Sequence, residues 1–199
     1  MARKLREITE GAMYHTFSRI INKEALMRPK KIKYLMELVL KMALEKYDFE
    51  LNGYALMDDH FHYLITTIAG QANISTIMQF IKSQFAQRYN EMMNRSGPVW
   101  NERFGSKIIE NSEEPNYYCN WLCMYIFYNP VRKGYVENPR DYEFSCMDFY
   151  LKENYEPKLK LTLSKYFLEL GVSFKERVKK FLEFETLYVE AKIKDLVPA

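Results

Sequence analysis

Three stretches of the chain have the pattern of hydrophobic and polar residues typical of a β-strand, and in the first of them the two kinds roughly alternate with a two-residue period. These stretches run from Met13 to Ile21, from Phe49 to Met57 and from Phe61 to Thr67, and they are rich in β-branched and aromatic residues. The polar pair Asp58-Asp59 separates the second stretch from the third, which suits an antiparallel hairpin. A fourth, short strand is expected near Lys107 to Ile109.

Three other segments show the spacing of helices. From Pro29 to Tyr47 the apolar residues follow the i, i+3, i+4, i+7 rule, and a proline suits the start of a helix. Ile74 to Tyr89 repeat this spacing and are followed by the loop Arg95 to Pro98. Pro115 to Tyr128 carry two aromatic and apolar stripes. We expect Asn129-Pro130 to stop this helix, because proline cannot continue it.

The order strand, helix, strand, strand, helix, strand predicts an α+β fold. We expect a ferredoxin-like (split βαβ) antiparallel sheet with helices on one face, followed by a third helix. The pattern changes after Asn138-Pro139, and Leu159 to Leu170 and Phe174 to Lys194 are expected to be helical. We therefore divide the chain into a domain of residues 1–150 and a helical C-terminal extension of residues 151–199.

Composition narrows the class of protein. The 199 residues are 48% hydrophobic and 28% charged, with 7 Gly and 7 Pro, which is typical of a globular protein and excludes collagen-like and low-complexity chains. The net charge is only +3, but residues 1–47 carry 11 basic and 5 acidic side chains, or +6. This basic N-terminal segment could face a polyanion, or Lys30, Lys31 and Lys33 could simply solvate a helix face.

The cysteines and the hydrophobic runs bear on the cell compartment. Cys119, Cys123 and Cys146 are an odd number without CxxC spacing, which favours free thiols in a reducing compartment. No apolar run approaches the ~18–20 residues of a membrane span. The start MARKLREITEG lacks the apolar stretch of a signal peptide. We expect a cytoplasmic protein with no membrane partner.

Two of the three histidines, His60 and His62, lie two apart in a predicted strand. Their imidazoles therefore project from the same face, as half of a metal site or as a hydrogen-bonded pair at a sheet surface. Tyr125 and Asn129 are neighbours at i, i+4 on the third helix. A phenol and an amide turned toward a histidine pair suit metal-assisted attack on a phosphodiester, although aromatic stripes are more often part of a core.

Five segments of the chain resemble the single-tyrosine transposases of the HUH superfamily, and most closely the REP-associated tyrosine transposases. The segments occur in the order of that family and cover residues 12–150. They are YHTFSR (Tyr14 to Arg19), YALMDDHFHYLI (Tyr54 to Ile65), ISTIMQFIKSQFAQRYN (Ile74 to Asn90), GPVWNERF (Gly97 to Phe104) and YIFYNPVRKGYV (Tyr125 to Val136).

The resemblance implies a mechanism. His60 and His62 would bind a divalent metal ion, magnesium or manganese, with Asn129 completing the site, and Tyr125 would be the nucleophile. Members of the family cut single-stranded DNA beside a hairpin, form a 5′-phosphotyrosine bond and release a 3′-OH. Some relatives are homodimers in which each tyrosine helix serves the partner's histidines, whereas the REP-associated kind can act as a monomer.

One position departs from the family pattern. Asp58-Asp59 stands where relatives commonly have Pro-Asn before the first histidine. Two carboxylates there could tighten metal binding, raise the pKa of the nucleophilic phenol, repel the DNA backbone, or merely form the turn.

Basic and aromatic side chains provide candidates for DNA contact, since phosphates pair with cations and bases stack on rings. His15 and Trp100 suit packing roles equally well. The candidates are His15, Arg19, Lys82, Arg88, Trp100, Arg103, Arg132 and Lys133. Two other functions stay open, namely a catalytically quiet module that binds hairpin DNA or RNA, and a zinc-dependent hydrolase of small molecules.

Overall fold

A four-stranded antiparallel sheet lies at the centre of the computed structural model, which describes residues 7–193. Its strands are β1 (Met13–Arg19), β2 (Phe49–Leu56), β3 (His60–Thr67) and β4 (Gly105–Ile108), in the spatial order β2-β3-β1-β4. This order is the predicted split βαβ arrangement, so the α+β, ferredoxin-like expectation is confirmed.

The register of β3 determines which residues of the neighbouring strands lie opposite its histidines. β3 lies between β2 and β1, so both of its edges are paired. On the β1 side, His60 lies opposite Arg19 and His62 opposite Phe17. On the other side β2 and β3 form the predicted hairpin, whose turn contains Asp58-Asp59. β3 is therefore a rigid support in the middle of the sheet.

Two helices, α1 (Lys30–Lys46) and α2 (Ile74–Met92), pack together on one face of the sheet, as predicted. This face carries the alternate residues of β3, Phe61 and Tyr63, whose rings stack with centroids 4.2 Å apart. Phe61 also meets Trp100 edge-on, and Trp100 contacts Phe85 of α2. The apolar face of β3 thus becomes core and leaves the histidines on the opposite face.

The opposite face is covered by α3 (Pro115–Phe127). One of its predicted stripes contacts α7 (Phe174–Lys192) rather than the sheet: Trp121 and Tyr128 both pack on Tyr188. The other stripe, which contains Tyr125, faces the histidines of the sheet. The C-terminal helix therefore supports α3 from behind.

Proline interrupts this helix but does not end the helical path. α3 ends at Phe127, and a further turn, α4 (Asn129–Arg132), follows with Pro130 near its start. Proline is tolerated in a first turn because its missing N–H would have no intrahelical acceptor there. The predicted end of the third helix before Asn129-Pro130 is confirmed to within one residue. The separate turn that follows was not predicted, and it brings Arg132 beside Tyr125.

The C-terminal region is less helical than predicted. In the segment Leu159 to Leu170 only α6 (Lys165–Leu168) is helical. Before it the chain has no regular helix or strand, and the amide of Thr162 donates to the carbonyl of Leu51 at 3.0 Å, so this segment contacts the free edge of β2. A short helix, α5 (Met147–Leu151), was not predicted. The predicted end at Lys194 lies outside the described residues.

The cysteines are as expected, since all three are free and buried. Within the described residues 7–193, no helix is both long enough and apolar enough to cross a bilayer.

Candidate active site

An open cleft of about 670 Å³ lies on the histidine face of the sheet, between β1, β3 and the α3–α4 junction. It gathers nine of the twelve site residues predicted from the sequence. They are His15, Arg19, His60, His62, Arg103, Tyr125, Asn129, Arg132 and Lys133.

The other three predicted residues lie elsewhere, because they belong to or pack on the helical layer behind the sheet. Lys82 and Trp100 line a second groove of about 570 Å³, and Arg88 lines neither cavity. The Trp100 indole N–H donates to the carbonyl of Lys82 at 2.9 Å. Glu102 and Arg103 line both cavities, so the two adjoin there.

The two histidines of β3 each have Nδ1 engaged by a neighbour. His60 Nδ1 lies 2.5 Å from Asp59 Oδ1, and His62 Nδ1 lies 2.9 Å from His15 Nε2. The rings of His60 and His62 are nearly perpendicular, with centroids 5.2 Å apart. His62 Nε2 is buried and has no hydrogen-bond partner. That nitrogen is a buried polar atom for which a ligand would compensate.

Burial keeps all three rings neutral at pH 7. It lowers the pKa of His15 to about 4 and lowers the pKa of His62 well below the ordinary value near 6.5. It also lowers the pKa of His60, although the Asp59 carboxylate works in the opposite direction. Neutral imidazole is the form that binds metal ions, so the rings do not have to lose a proton first.

Tyr125 stands over the histidines of its own chain. Its ring is edge-on to His62, with centroids 5.4 Å apart, and 6.4 Å from His15. The guanidinium carbon of Arg132 lies 5.3 Å from the Tyr125 ring centroid, a cation–π distance. Asn129, one turn further on, is buried and lines the same cleft as His60. A phenol, an amide and two imidazoles therefore converge from β3 and the α3–α4 junction.

The two aspartates before His60 have different roles. Asp58 turns away toward α1, where its carboxylate lies 2.6 Å from Lys33 Nζ and 3.3 Å from Arg28 Nε. Asp59 contacts His60 and lies 3.7 Å from Arg19 Nε. Asp58 thus anchors the turn and Asp59 orients a histidine. Lys33 is only 5% exposed, so neither interpretation of it as a surface lysine was right.

The sequence analysis missed several residues of the cleft, namely Phe17, Ser18, Asn101, Glu102 and Gly105. Strand alternation could have predicted Phe17, because it alternates with His15 and Arg19 on β1 and must share their face. Its ring lies on Gly105 of the neighbouring strand, where any Cβ would overlap it. The loop residues gave no periodic signal.

The side chains present fit a divalent metal ion. Two imidazole nitrogens and an amide oxygen are ligands of the kind that manganese and magnesium accept, and the engaged Nδ1 atoms match the hydrogen bonding common around metal-bound histidines. The unpartnered His62 Nε2 is the observation that favours this fit. Among residues 7–193, no cluster of three or more His, Cys, Asp or Glu is arranged for a metal, so Asn129 would have to contribute.

A ferredoxin-like antiparallel sheet whose central strand carries the HFH sequence, faced by a tyrosine-bearing helix, defines the class of single-tyrosine transposases. The family described as "Transposase IS200 like" matches residues 9–119, more than half of the chain, and the chain belongs to this family. Membership supports a transposase role and confirms the resemblance found in the sequence.

Individual relatives agree with this assignment. The REP-associated tyrosine transposase of Escherichia coli K12 is 25% identical over 138 residues, 69% of this chain and 77% of that protein. A Haemophilus influenzae protein with the provisional name of REP-associated tyrosine transposase is 25% identical over 173 residues, 79% of this chain and 92% of that protein. A solved REP-associated tyrosine transposase bound to a REP hairpin has the same fold, with a TM-score of 0.64 at 20% identity, covering 83% of this chain and 96% of that one.

Proposed function

We propose that the chain is a metal-dependent single-stranded DNA endonuclease and strand transferase that recognises DNA hairpins. The observation that carries the proposal is the distance of 5.4 Å between the rings of Tyr125 and His62 within one chain. Asn129 lies one turn beyond Tyr125 in the same cleft. This grouping places a nucleophile beside a set of metal ligands.

We assign the metal ligands to His60, His62 and Asn129. A bound divalent ion would neutralise charge on the phosphate oxygens and orient the scissile bond. Imidazole nitrogens suit manganese, whereas an amide oxygen, water and phosphate suit magnesium, so this mixed set accepts either ion. Asp59 keeps its place beside His60 Nδ1 and leaves the other ring nitrogen to the cleft.

We assign nucleophilic attack to the hydroxyl oxygen of Tyr125. The phenol gives up its proton to water, and its oxygen forms a bond to phosphorus while the bond from phosphorus to the 3′ oxygen breaks. The 3′ oxygen takes up a proton, and the 5′ phosphate stays on the tyrosine. Attack by a 3′-OH reverses the step and joins strands. The guanidinium of Arg132 lies next to the Tyr125 ring at a cation–π distance.

The charge of the cleft suits a polyanion. Arg19, Arg103, Arg132 and Lys133 surround it, and Glu102 is the single acidic residue among its lining residues. We propose that these cations contact the DNA backbone next to the cleaved bond. Lys82, Arg88 and Trp100 lie outside the cleft and remain candidates for contact with the flanking strand or hairpin. The relative solved with a REP hairpin supports a hairpin as the partner.

We propose that the active unit is a monomer. The tyrosine and the histidines meet within one chain, so no helix exchange is required for catalysis. A homodimer with exchanged helices would have to separate α3 from α7. Glu185 of α7 opposes this, since it accepts at 2.6 Å from the hydroxyl of Tyr128, the residue at the C-terminal end of α3.

The test is the covalent intermediate. Wild-type protein incubated with a hairpin-bearing single strand and manganese should give a denaturation-resistant protein–DNA adduct, and Tyr125→Phe should abolish it. Tyr117→Phe is the matched control, because Tyr117 lies on the same helix but faces α7, where its ring meets Phe184. An adduct that survives Tyr125→Phe overturns the choice of nucleophile. Hairpin binding by the wild type without any adduct, in either metal, would identify a catalytically quiet binding module instead.

A mixture of two inactive variants tests whether the active unit is a monomer. Tyr125→Phe and His62→Ala proteins each lack one half of the site. If the halves always come from one chain, the mixture forms no adduct. Recovery of the adduct would show that α3 is exchanged between chains.

A further inference from the structure

His15 is buried beside His62 and contacts it directly. It lies on β1, diagonally across from His62 in the strand pairing, and the two rings stack with centroids 5.1 Å apart. Its Nε2 faces His62 Nδ1 at 2.9 Å. The Nε2 of His15 is therefore engaged within the protein.

One proton must lie between these two nitrogens. The ring that carries it determines which nitrogen of His62 has a free lone pair. If His15 Nε2 holds the proton, His62 Nδ1 accepts it and the neutral His62 ring carries its own proton on Nε2. That N–H would leave the buried Nε2 of His62 without a lone pair for a metal ion. If His62 Nδ1 holds the proton, its Nε2 carries a lone pair directed into the cleft.

We propose that His15 is a positioning residue, whose Nε2 accepts the Nδ1–H of His62 and so keeps the Nε2 lone pair of His62 available to a metal ion. This inference rests on the proposed metal site and adds a residue to it. His15 touches neither the ion nor the substrate, and acts only through His62.

The other imidazole ligand, His60, is also oriented through a contact at its Nδ1, but its partner is a carboxylate. His60 Nδ1 is held by the Asp59 carboxylate, whereas His62 Nδ1 is held by a neutral ring. A carboxylate raises the basicity of the imidazole it contacts, and a neutral acceptor fixes the tautomer without adding negative charge near the phosphate. The rings of His15 and Tyr125 are also nearly perpendicular, with centroids 6.4 Å apart, so one side chain positions a ligand and lies near the nucleophile.

Long-range 1H–15N NMR spectra of the metal-free protein test the tautomer directly. The chain has three histidines, so the spectra are readily assigned with single-histidine variants. In the wild type at pH 7, His62 should carry its proton on Nδ1. A wild-type His62 with its proton on Nε2 would overturn the inference without the use of any His15 variant.

Manganese affinity, measured by calorimetry without DNA, tests the consequence. His15→Phe keeps a stacked ring but removes the acceptor, and should weaken binding about 10–100-fold, the usual effect of losing such a partner. His15→Gln offers an amide oxygen at a similar reach and should recover most of the affinity. Unchanged affinity and an unchanged His62 tautomer in folded His15→Phe would overturn the proposal. If the wild type itself binds no manganese, the metal site fails, while the tautomer measurement still decides the role of His15.

Discussion

Replacement of Lys33 by methionine should destabilise the protein strongly, although Lys33 is a lysine on an amphipathic helix. Its ammonium lies 2.6 Å from Asp58, and the two side chains are only 6% and 10% exposed. The same ammonium lies 5.4 Å from the Phe144 ring centroid. Methionine fills a similar volume but leaves the Asp58 carboxylate with Arg28 as its remaining cation, and the Arg28 side chain is 76% exposed.

The expected loss follows from that burial. Removal of one partner of a buried ion pair typically costs about 3–5 kcal/mol, because an uncompensated charge is left behind. Arg28 still offers partial compensation, so we expect a value near the lower limit, about 3 kcal/mol. The double variant Lys33→Met/Asp58→Asn removes the stranded charge and should recover most of this loss.

The assay is urea-induced unfolding at pH 7, followed by circular dichroism and analysed by linear extrapolation. Lys152→Met is the matched control: its partner Asp148 lies 2.7 Å away and four residues earlier, but Lys152 is 61% exposed. That pair should contribute about 0.5 kcal/mol or less. If Lys33→Met costs less than about 1 kcal/mol, or no more than Lys152→Met, the buried pair does not anchor the β2–β3 turn.

Three further outcomes are expected. Lys133→Gln should reduce the slope of log affinity against log salt for a hairpin single strand by about 0.7, and an unchanged slope would argue against a phosphate contact. Glu185→Ala should cost about 2 kcal/mol and speed hydrogen exchange in α3, because its carboxylate accepts from Tyr128 and Arg140; exchange as slow as in the wild type would contradict this role. Burial lowers the pKa of His15 to about 4, below the value near 6.5 of the unfolded chain. As the pH falls, the unfolded chain therefore protonates His15 at a higher pH than the folded protein does. The free energy of unfolding of the metal-free protein should fall as pH drops from about 6.5 to 4. His15→Phe should flatten that fall by up to about 3 kcal/mol in urea unfolding, and an equally steep fall would refute the assignment.

The sequence alone determined those features that depend on local periodicity. Alternation along a strand placed His60 and His62 on one face, and a separation of four residues placed Tyr125 beside Asn129. The order of predicted strands and helices along the chain was enough to predict the ferredoxin-like class. The placements of the two histidines and of Tyr125 with Asn129 concern residues two to four positions apart, where backbone geometry leaves little choice.

Only the tertiary structure decided which elements meet. Periodicity shows that a face is buried but does not identify its partner, so it could not show that α3 covers the histidines or that residues before α6 run along β2. The contact of His15 with His62 depends on strand register, and that of Lys33 with Asp58 on how α1 packs beside the turn. Such contacts join residues 25 to 47 positions apart in the chain, and they form because the packed sheet and helices bring those positions together.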